Sequence, residues 1–161
     1  MIARTELHRA VILLDANVLV ASLDLEASGH RASRAVVSAS RDRRLPGMLV
    51  PQVLLEAFAV ITDRRRVTSP LAPDLAWAEI DGLARTISVL YPKPQALQEF
   101  ARIVERRGPK AQSVFDASLV AQMRAAGSSA ICTYSVADFE GYEGISAETP
   151  AATLVRFGLS T

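Results

Sequence analysis

The sequence predicts an α/β fold in which a mainly parallel central sheet is flanked by helices. Short apolar runs recur along the chain, and stretches with apolar residues at helical spacing separate them. Parallel strands need long, usually helical crossovers, so this alternation is typical of a parallel sheet covered by helices. The 161 residues have the length of one domain, and 50% of them are hydrophobic, which is enough to bury a core.

The predicted elements follow from the positions of apolar residues, prolines and glycines. Predicted strands cover residues 11–14, 48–50, 87–91 and 130–133, with a last short strand near 145–147. Predicted helices cover residues 16–23, 30–44, 52–63, 74–86, 95–107 and 113–126, and a terminal helical turn covers 150–157. Pro51 takes a first helical position, where its missing N–H costs no hydrogen bond. Gly127 stands where a glycine commonly ends a helix.

The composition favours a globular protein outside membranes. The net charge of +1 gives no overall attraction to nucleic acid, so any such site must be local. The single cysteine, Cys132, cannot form an internal disulfide and is expected to be a small core residue. No apolar run has membrane-spanning length, and residues 1–10 lack the apolar centre of a signal peptide. We therefore expect a cytoplasmic protein with a polar leader over residues 1–10 and no membrane partner.

Four acidic residues stand out because they lie in apolar surroundings or at strand ends. Asp15 and Asp138 follow two predicted strands, and the carboxyl ends of parallel strands share the edge of a sheet where ligands bind. Asp116 lies in the first turn of a predicted helix, and Glu56 is the only charge within the segment VLLEAFAVI. Simpler roles are open as well: Asp15 as a helix cap, and Glu56 as the partner of a buried arginine.

Buried carboxylates that lie close together predict a site for a divalent cation. Like charges buried near each other raise one another's pKa and destabilise the protein without a cation. Oxygen ligands favour Mg²⁺ or Mn²⁺, and the sequence has no thiolate or paired-histidine set with zinc spacing. Acidic sites with such ions commonly hydrolyse phosphodiesters, because the cation activates a water and stabilises the leaving oxygen.

Four segments of the chain match the pattern of a known family. They are LLDANVLVA over 13–21, VLLEAFAV over 53–60, FDASLVAQMRAAG over 115–127 and TYSVADFEGYEGI over 133–145. In this order and spacing the chain resembles, over nearly its whole length, the PIN-domain ribonucleases, and most closely the VapC-type toxins of bacterial toxin–antitoxin pairs. The resemblance implies a single PIN-like domain over residues 1–161 that cuts RNA with Mg²⁺ or Mn²⁺.

The resemblance also implies roles for individual residues. The family's acidic quartet, which binds the metal and carries catalysis, is matched by Asp15, Glu56, Asp116 and Asp138. Its polar supporting positions are matched by Asn17 and Thr133. The chain departs from the family at Ser135, where Asn or Asp is common. A hydroxyl there can hydrogen-bond a water or cap the turn, but it is a poorer metal ligand than a carboxylate.

The implied partners are an RNA substrate, a cognate antitoxin and a second copy of the chain in a homodimer. In the family, the antitoxin lays a C-terminal segment, often with an arginine, across the acidic site. RNA needs positive charge beside the acids, and the predicted phosphate contacts are Arg64, Arg65, Arg66 and Lys110. The arginine run has an alternative role as a solvated helix end. Single-stranded or loop RNA is the expected target, because its phosphodiester must reach a recessed metal.

Two other functions remain open at this point. A PIN-like domain that has lost catalysis would serve as an RNA-binding or protein-binding scaffold, although the presence of all four acids argues against it. A phosphotransfer receiver or phosphatase of similar layout fits less well. Those sites need an acidic pair beside the nucleophilic aspartate, and the segment Asp15-Ala16-Asn17 lacks the second acid.

Overall fold

The structure of the chain, a computed structural model, describes residues 11–161. The predicted polar leader over residues 1–10 lies outside the described residues. The strands are β1 (Ile12–Leu14), β2 (Gly47–Leu49), β3 (Ser88–Val89), β4 (Ala130–Cys132) and β5 (Ser146–Glu148). The helices are α1 (Ala16–Leu23), α2 (His30–Arg41), α3 (Pro51–Ile61), α4 (Pro73–Thr86), α5 (Gln95–Arg107), α6 (Ser113–Ala126) and α7 (Pro150–Arg156), and a 3-10 helix covers Val136–Phe139.

The strands pair into a five-stranded sheet with the order β3-β2-β1-β4-β5. Every neighbouring pair is parallel, so the predicted α/β fold with a parallel central sheet is confirmed. β1 is the middle strand, and its last residue Leu14 lies opposite Cys132 at the end of β4. The next residues, Asp15 and Thr133, therefore lie side by side at the carboxyl edge of the sheet.

Local signals in the sequence set several helix ends correctly. Pro51 lies in the first turn of α3, as predicted. Gly127 ends α6 with a φ of 73°, in the left-handed region that glycine enters without steric cost. α2 ends at Arg41, earlier than the predicted residue 44, because Arg43 has a φ of 58° and cannot continue a right-handed helix.

The third strand is shorter than predicted. β3 covers only Ser88–Val89 of the expected 87–91. One further ladder bond forms beyond it, from the Leu90 N–H to the Leu49 carbonyl oxygen at 2.8 Å. Pro92 then follows, and since proline has no N–H to donate, the pairing goes no further.

The core lies against the central strands. Ile12, Leu13 and Leu14 of β1 are at most 1% exposed, because the helices cover both faces of the sheet. Val120 of α6 is fully buried against them, and Cys132 is also fully buried, as predicted for a core residue. Within residues 11–161, none of the helices combines the length and the apolar character that crossing a membrane would require.

Candidate active site

Asp15 is held rigidly at the carboxyl edge of the sheet. It follows β1 directly, and its N–H donates to the Cys132 carbonyl oxygen at 3.0 Å. Its Oδ1 accepts from the Ala16 N–H at 2.7 Å, and its Oδ2 accepts from the Thr133 hydroxyl at 2.6 Å. Asp15 is therefore the N-cap of α1, as the simpler interpretation proposed. The cap leaves further lone pairs on both carboxylate oxygens, so the side chain can still bind a ligand.

The predicted supporting residues form one hydrogen-bonded network around Asp15. The Thr133 side chain is fully buried, and its single hydroxyl proton goes to Asp15. The same oxygen accepts from the Asn17 Nδ2 at 3.1 Å and from the Ser135 N–H at 3.0 Å. Asn17 Nδ2 also donates to the Ser135 Oγ at 3.2 Å, and Asn17 Oδ1 accepts from the Tyr134 N–H at 3.1 Å. Ser135 thus has a defined place in the network, although no metal ligand role follows from it.

Glu56 is half-buried on α3. Its Oε1 accepts from the Gln52 Nε2 at 2.7 Å, one helical turn earlier on the same face. The alternative of an ion pair with a buried arginine is not realised among the ion pairs of residues 11–161. Gln52 Nε2 also donates to the Phe115 carbonyl oxygen at 3.0 Å, immediately before Asp116 on α6. One amide therefore connects the helices that carry Glu56 and Asp116.

Asp138 differs from the other acids because it is exposed, on the 3-10 helix after β4. The loop that follows it is anchored by two arginines from neighbouring helices. The Arg124 Nη2 donates to the Glu143 carbonyl oxygen at 2.8 Å, and the Arg107 guanidinium lies 4.1 Å from the centre of the Tyr142 ring. A cation over an aromatic face is an attractive contact, so the loop has a defined position despite its exposure.

The pKa of Asp116 shows that the four acids act on one another. The pKa of its carboxyl is raised from 3.8 to about 6; burial is the largest cause, and the charges of Asp138, Asp15 and Glu56 follow in that order. Coulombic repulsion falls with distance, so the carboxylates of Asp138, Asp15 and Glu56 lie near enough to Asp116 for their charges to act on it.

Burial and the charge of a neighbouring acid also raise the pKa values of Asp15 and Glu56. Burial is the largest cause for Asp15; the charge of Asp138 adds to it, while the hydrogen bond from Thr133 opposes it. Burial is also the largest cause for Glu56, with the charge of Asp15 adding and the hydrogen bond from Gln52 opposing. A nearby cation would oppose each of these rises, because it stabilises the ionised carboxylates.

The acids suit a cation that keeps much of its hydration. Among residues 11–161, no three His, Cys, Asp or Glu side chains are placed to hold a metal ion together. Mg²⁺ commonly takes one or two protein carboxylates and completes its shell with waters and phosphate oxygens. The donors here are all carboxylate oxygens that repel one another, and these fit such an ion better than a closed protein cage.

The predicted phosphate contacts lie beyond the end of α3 and before the start of α6. Arg64, Arg65 and Arg66 follow the C-terminal end of α3, two turns or more beyond Glu56. Arg65 forms an ion pair with Asp63 at 3.0 Å, which offsets part of the positive charge of the run. Lys110 is exposed just before α6, where its N–H and carbonyl oxygen bond the Ser113 hydroxyl. Contact of these side chains with RNA stays a prediction.

Sequence reasoning missed Gln52 and the two arginines that anchor the Asp138 loop. Gln52 lies four residues before Glu56, a spacing that places the two side chains on one face of a helix, and this signal could have identified it. Arg107 and Arg124 carry no comparable signal, because their partners are backbone and ring atoms of a loop distant in sequence.

Comparison with known proteins identifies the family. A PIN-domain family model matches residues 12–135, which contain three of the four acids and end just before Asp138. Among solved structures, a protein of Pyrobaculum aerophilum is similar with a TM-score of 0.62 and 18% identity, over 92% of this chain and 90% of that chain. The Mycobacterium tuberculosis toxin VapC20, described as cleaving the Sarcin-Ricin loop, is similar with a TM-score of 0.55 and 19% identity, over 74% of this chain and 86% of that chain. A DNA-bound VapBC from Salmonella typhimurium is similar with a TM-score of 0.63 and 19% identity, over 88% of this chain and 98% of that chain.

No curated protein matches the sequence. Identities this low show a shared fold, whereas the family match covers most of the chain, and the protein therefore belongs to the PIN-domain family.

Proposed function

We propose that this protein is a divalent-metal-dependent endoribonuclease and acts in the cytoplasm as the toxin of a type II toxin–antitoxin pair. The observation that carries the proposal is the raised pKa of Asp116, about 6, to which burial contributes most and the charges of Asp138, Asp15 and Glu56 add. Repulsion between carboxylates destabilises the folded protein without a cation, whereas it favours the binding of Mg²⁺ or Mn²⁺.

Each acid contributes differently to the proposed reaction. Asp15, fixed by the Ala16 N–H and the Thr133 hydroxyl, provides a rigid anchor at the carboxyl edge of the sheet. Glu56 and Asp116 approach from α3 and α6, and Asp138 completes the site on its exposed side. When bound, a divalent cation supplies a water of lowered pKa and positive charge against the reacting phosphate. Asp15, Glu56, Asp116 and Asp138 would hold the cation through carboxylate oxygens, and a carboxylate beside the attacking water would take its proton. The new P–O bond would form as the bond to the leaving oxygen breaks, and that oxygen would take a proton from solvent.

The proposed substrate is single-stranded or loop RNA. The acids lie at a sheet edge, partly buried, and a phosphodiester held inside a duplex would not reach them without unpairing. Repulsion between the acids and the other phosphates requires positive charge nearby, which Lys110 before α6 and the run Arg64–Arg66 are proposed to supply. Cytoplasmic location is proposed because RNA and an antitoxin partner would both be met there.

The proposed partners are an antitoxin and a second copy of the chain. The similar structures include a VapBC from Salmonella typhimurium and a toxin–antitoxin complex from Klebsiella pneumoniae, and we extend that type of partner to this chain. The physical reason is charge complementarity, since a cationic segment of a partner would neutralise the four acids and exclude RNA. The homodimer rests on the family resemblance.

The test is cleavage of a mixed RNA pool by the purified protein, with Mg²⁺, with Mn²⁺ and with EDTA. Asp116→Asn is the test variant, because it removes one charge of the quartet and changes the shape very little. Asp42→Asn is the matched control, because Asp42 is exposed and, among residues 11–161, forms its ion pair with neighbouring Arg44. We expect cleavage by wild type and Asp42→Asn that needs the metal, and a loss of at least 100-fold in Asp116→Asn.

Two outcomes would count against the proposal. Cleavage that survives in Asp116→Asn would show that the acidic site does not carry the reaction. A wild-type protein that binds RNA but neither cuts it nor binds Mn²⁺ by calorimetry would favour the alternative of a catalytically silent scaffold.

A further inference from the structure

Gln52 uses all of its hydrogen-bonding groups to join two helices of the proposed site. Its Nε2 donates to the Glu56 Oε1 at 2.7 Å and to the Phe115 carbonyl oxygen at 3.0 Å. Its Oε1 accepts from the Ser118 hydroxyl at 2.8 Å and from the Gln122 Nε2 at 2.9 Å. Glu56 lies on α3, whereas the other three partners lie on α6, so one side chain connects the two helices.

The chemistry of the partners fixes the orientation of this amide. A carboxylate and a backbone carbonyl oxygen can only accept, so the NH₂ group of Gln52 must face Glu56 and Phe115. Its oxygen then faces α6, where Ser118 donates to it. This in turn requires Gln122 to present its own NH₂ group, since a flipped Gln122 would oppose two oxygens. The arrangement is therefore determined by the network and does not depend on the choice of amide rotamer.

The hydrogen bonds of Gln52 join α3 and α6 close to the positions of Glu56 and Asp116. Glu56 is one helical turn beyond Gln52 on the same face of α3, and Asp116 lies between Phe115 and Ser118 on α6. The charge of Glu56 is the last of the causes that raise the pKa of Asp116, so the two carboxylates repel each other when both are ionised. Without a connection, repulsion would favour separation of the side chains, whereas a bound cation needs them close.

We propose that Gln52 is a positioning residue whose amide holds the Glu56 carboxylate at a fixed place relative to Asp116, so that the two are preorganised for a divalent cation. This inference rests on the proposed function, since it concerns the same metal site. Hydrogen-bond partners of metal ligands orient those ligands, and their loss typically weakens metal affinity by about 10–100-fold. Gln52 contacts Glu56 and not the reacting atoms, so its effect is transmitted through the carboxylate.

The test compares three variants by Mn²⁺ binding in calorimetry without RNA, and by melting temperature in EDTA. Gln52→Met keeps the side-chain volume and removes the hydrogen bonds of Gln52 with Glu56, Phe115, Ser118 and Gln122. Gln122→Met is the matched control, because Gln122 contacts Gln52 and Ser118 but neither acid. The double variant Gln52→Met/Gln122→Met replaces the amide pair by an apolar pair, so no polar group of that pair is left without a partner.

We expect Gln52→Met to weaken Mn²⁺ binding by about 10-fold or more, while Gln122→Met changes it less than about 2-fold. The double variant is expected to melt close to the wild type and still to bind Mn²⁺ as weakly as Gln52→Met. This combination separates positioning from stability, and it keeps the test valid if Gln52→Met alone fails to fold.

Three results would overturn the inference. Unchanged Mn²⁺ affinity in a folded Gln52→Met, beside a wild type that binds Mn²⁺, would refute positioning and leave the proposed function intact. Recovery of Mn²⁺ affinity in the double variant, in step with its melting temperature, would show a structural role only. A wild type that does not bind Mn²⁺ would refute the metal site itself, and with it the inference.

Discussion

Asp116→Asn is expected to stabilise the protein in the absence of metal while it removes activity. The Asp116 carboxyl is half-buried and faces three other acids, and these causes raise its pKa to about 6 from 3.8. A raised pKa of an acid means that its ionised form is disfavoured in the folded state. The unfolded chain loses this proton near pH 3.8 and the folded chain near pH 6, so stability falls as the pH rises through this window. Above pH 6 Asp116 is ionised in both states, and the loss of folding stability has reached its full size.

The size of the effect follows from the pKa shift. A rise from 3.8 to about 6 corresponds to about 3 kcal/mol of unfavourable free energy at neutral pH. Since Asp116 is only half-buried, solvent screens part of the repulsion, and we expect about 1–2 kcal/mol. For a domain of this size, that gain corresponds to a rise of about 3–6 °C in the melting temperature. At pH 5.0 about half of the gain should remain, because the folded wild type is then largely protonated.

The assay is thermal unfolding in EDTA at pH 5.0 and pH 7.5 for wild type, Asp116→Asn and the exposed control Asp42→Asn. The control should shift the melting temperature little at either pH, because exposed ion pairs contribute about 0–1 kcal/mol. With excess Mn²⁺ the order should reverse, since a ligand stabilises the state that binds it, and the wild type binds it better.

Equal melting temperatures of wild type and Asp116→Asn at pH 7.5 in EDTA would refute the reasoning. So would a gain that is as large at pH 5.0 as at pH 7.5, because loss of repulsion must depend on ionisation. Either result would mean that the four carboxylates do not interact at the strength that the structure implies.

Substitutions at Thr133, Gly141 and Gly144 test the surroundings of the site. Thr133→Val removes the buried hydroxyl that donates to Asp15, and should lower the free energy of unfolding by about 1–3 kcal/mol in urea titration. Thr133→Ser keeps a hydroxyl and should retain most of the wild-type free energy of unfolding. Gly141→Ala and Gly144→Ala should each lose about 1 kcal/mol or more, because both glycines have a left-handed φ, of 79° and 78°. The new Cβ of Gly141→Ala would lie 2.8 Å from the Arg107 Nη1, the end of a flexible side chain that can move, and that of Gly144→Ala would meet nothing within 4 Å. The two losses in urea titration should therefore be similar, and a much larger loss for Gly141→Ala would contradict this reasoning.

The fold could be predicted from the sequence because its signals are local. Apolar runs of strand length and the proline and glycine at helix ends, Pro51 and Gly127, are each determined by a few neighbouring residues. The position of Asp15 follows from the same kind of reasoning, because a residue directly after a parallel strand must lie at the carboxyl edge. The boundary errors at α2 and β3 arose where a single backbone angle or one proline ended the element.

The arrangement within the site was less accessible to sequence reasoning. Four separate acids could be singled out, but their mutual distances depend on how α3 and α6 pack, which no local pattern specifies. The spacing of Gln52 to Glu56 is a local signal, but its contacts with α6 involve Phe115, Ser118 and Gln122, more than 60 residues away in sequence. The anchoring of the Asp138 loop by Arg107 depends in the same way on a contact between distant segments.

The difference in burial between the acids connects stability with the proposed function. Asp15 is 8% exposed and compensated by hydrogen bonds, so its place is fixed by folding itself. Asp138 is exposed, yet its charge is the largest electrostatic contribution to the raised pKa of Asp116. The repulsion that weakens the folded chain is therefore concentrated at the open side of the site, where a cation or a cationic segment of a partner can enter. Binding there relieves the repulsion between the acids. Without metal, Asp116→Asn is expected to remove the same repulsion and so to stabilise the fold. In the wild type, the relief of this repulsion would instead strengthen the binding of a cation.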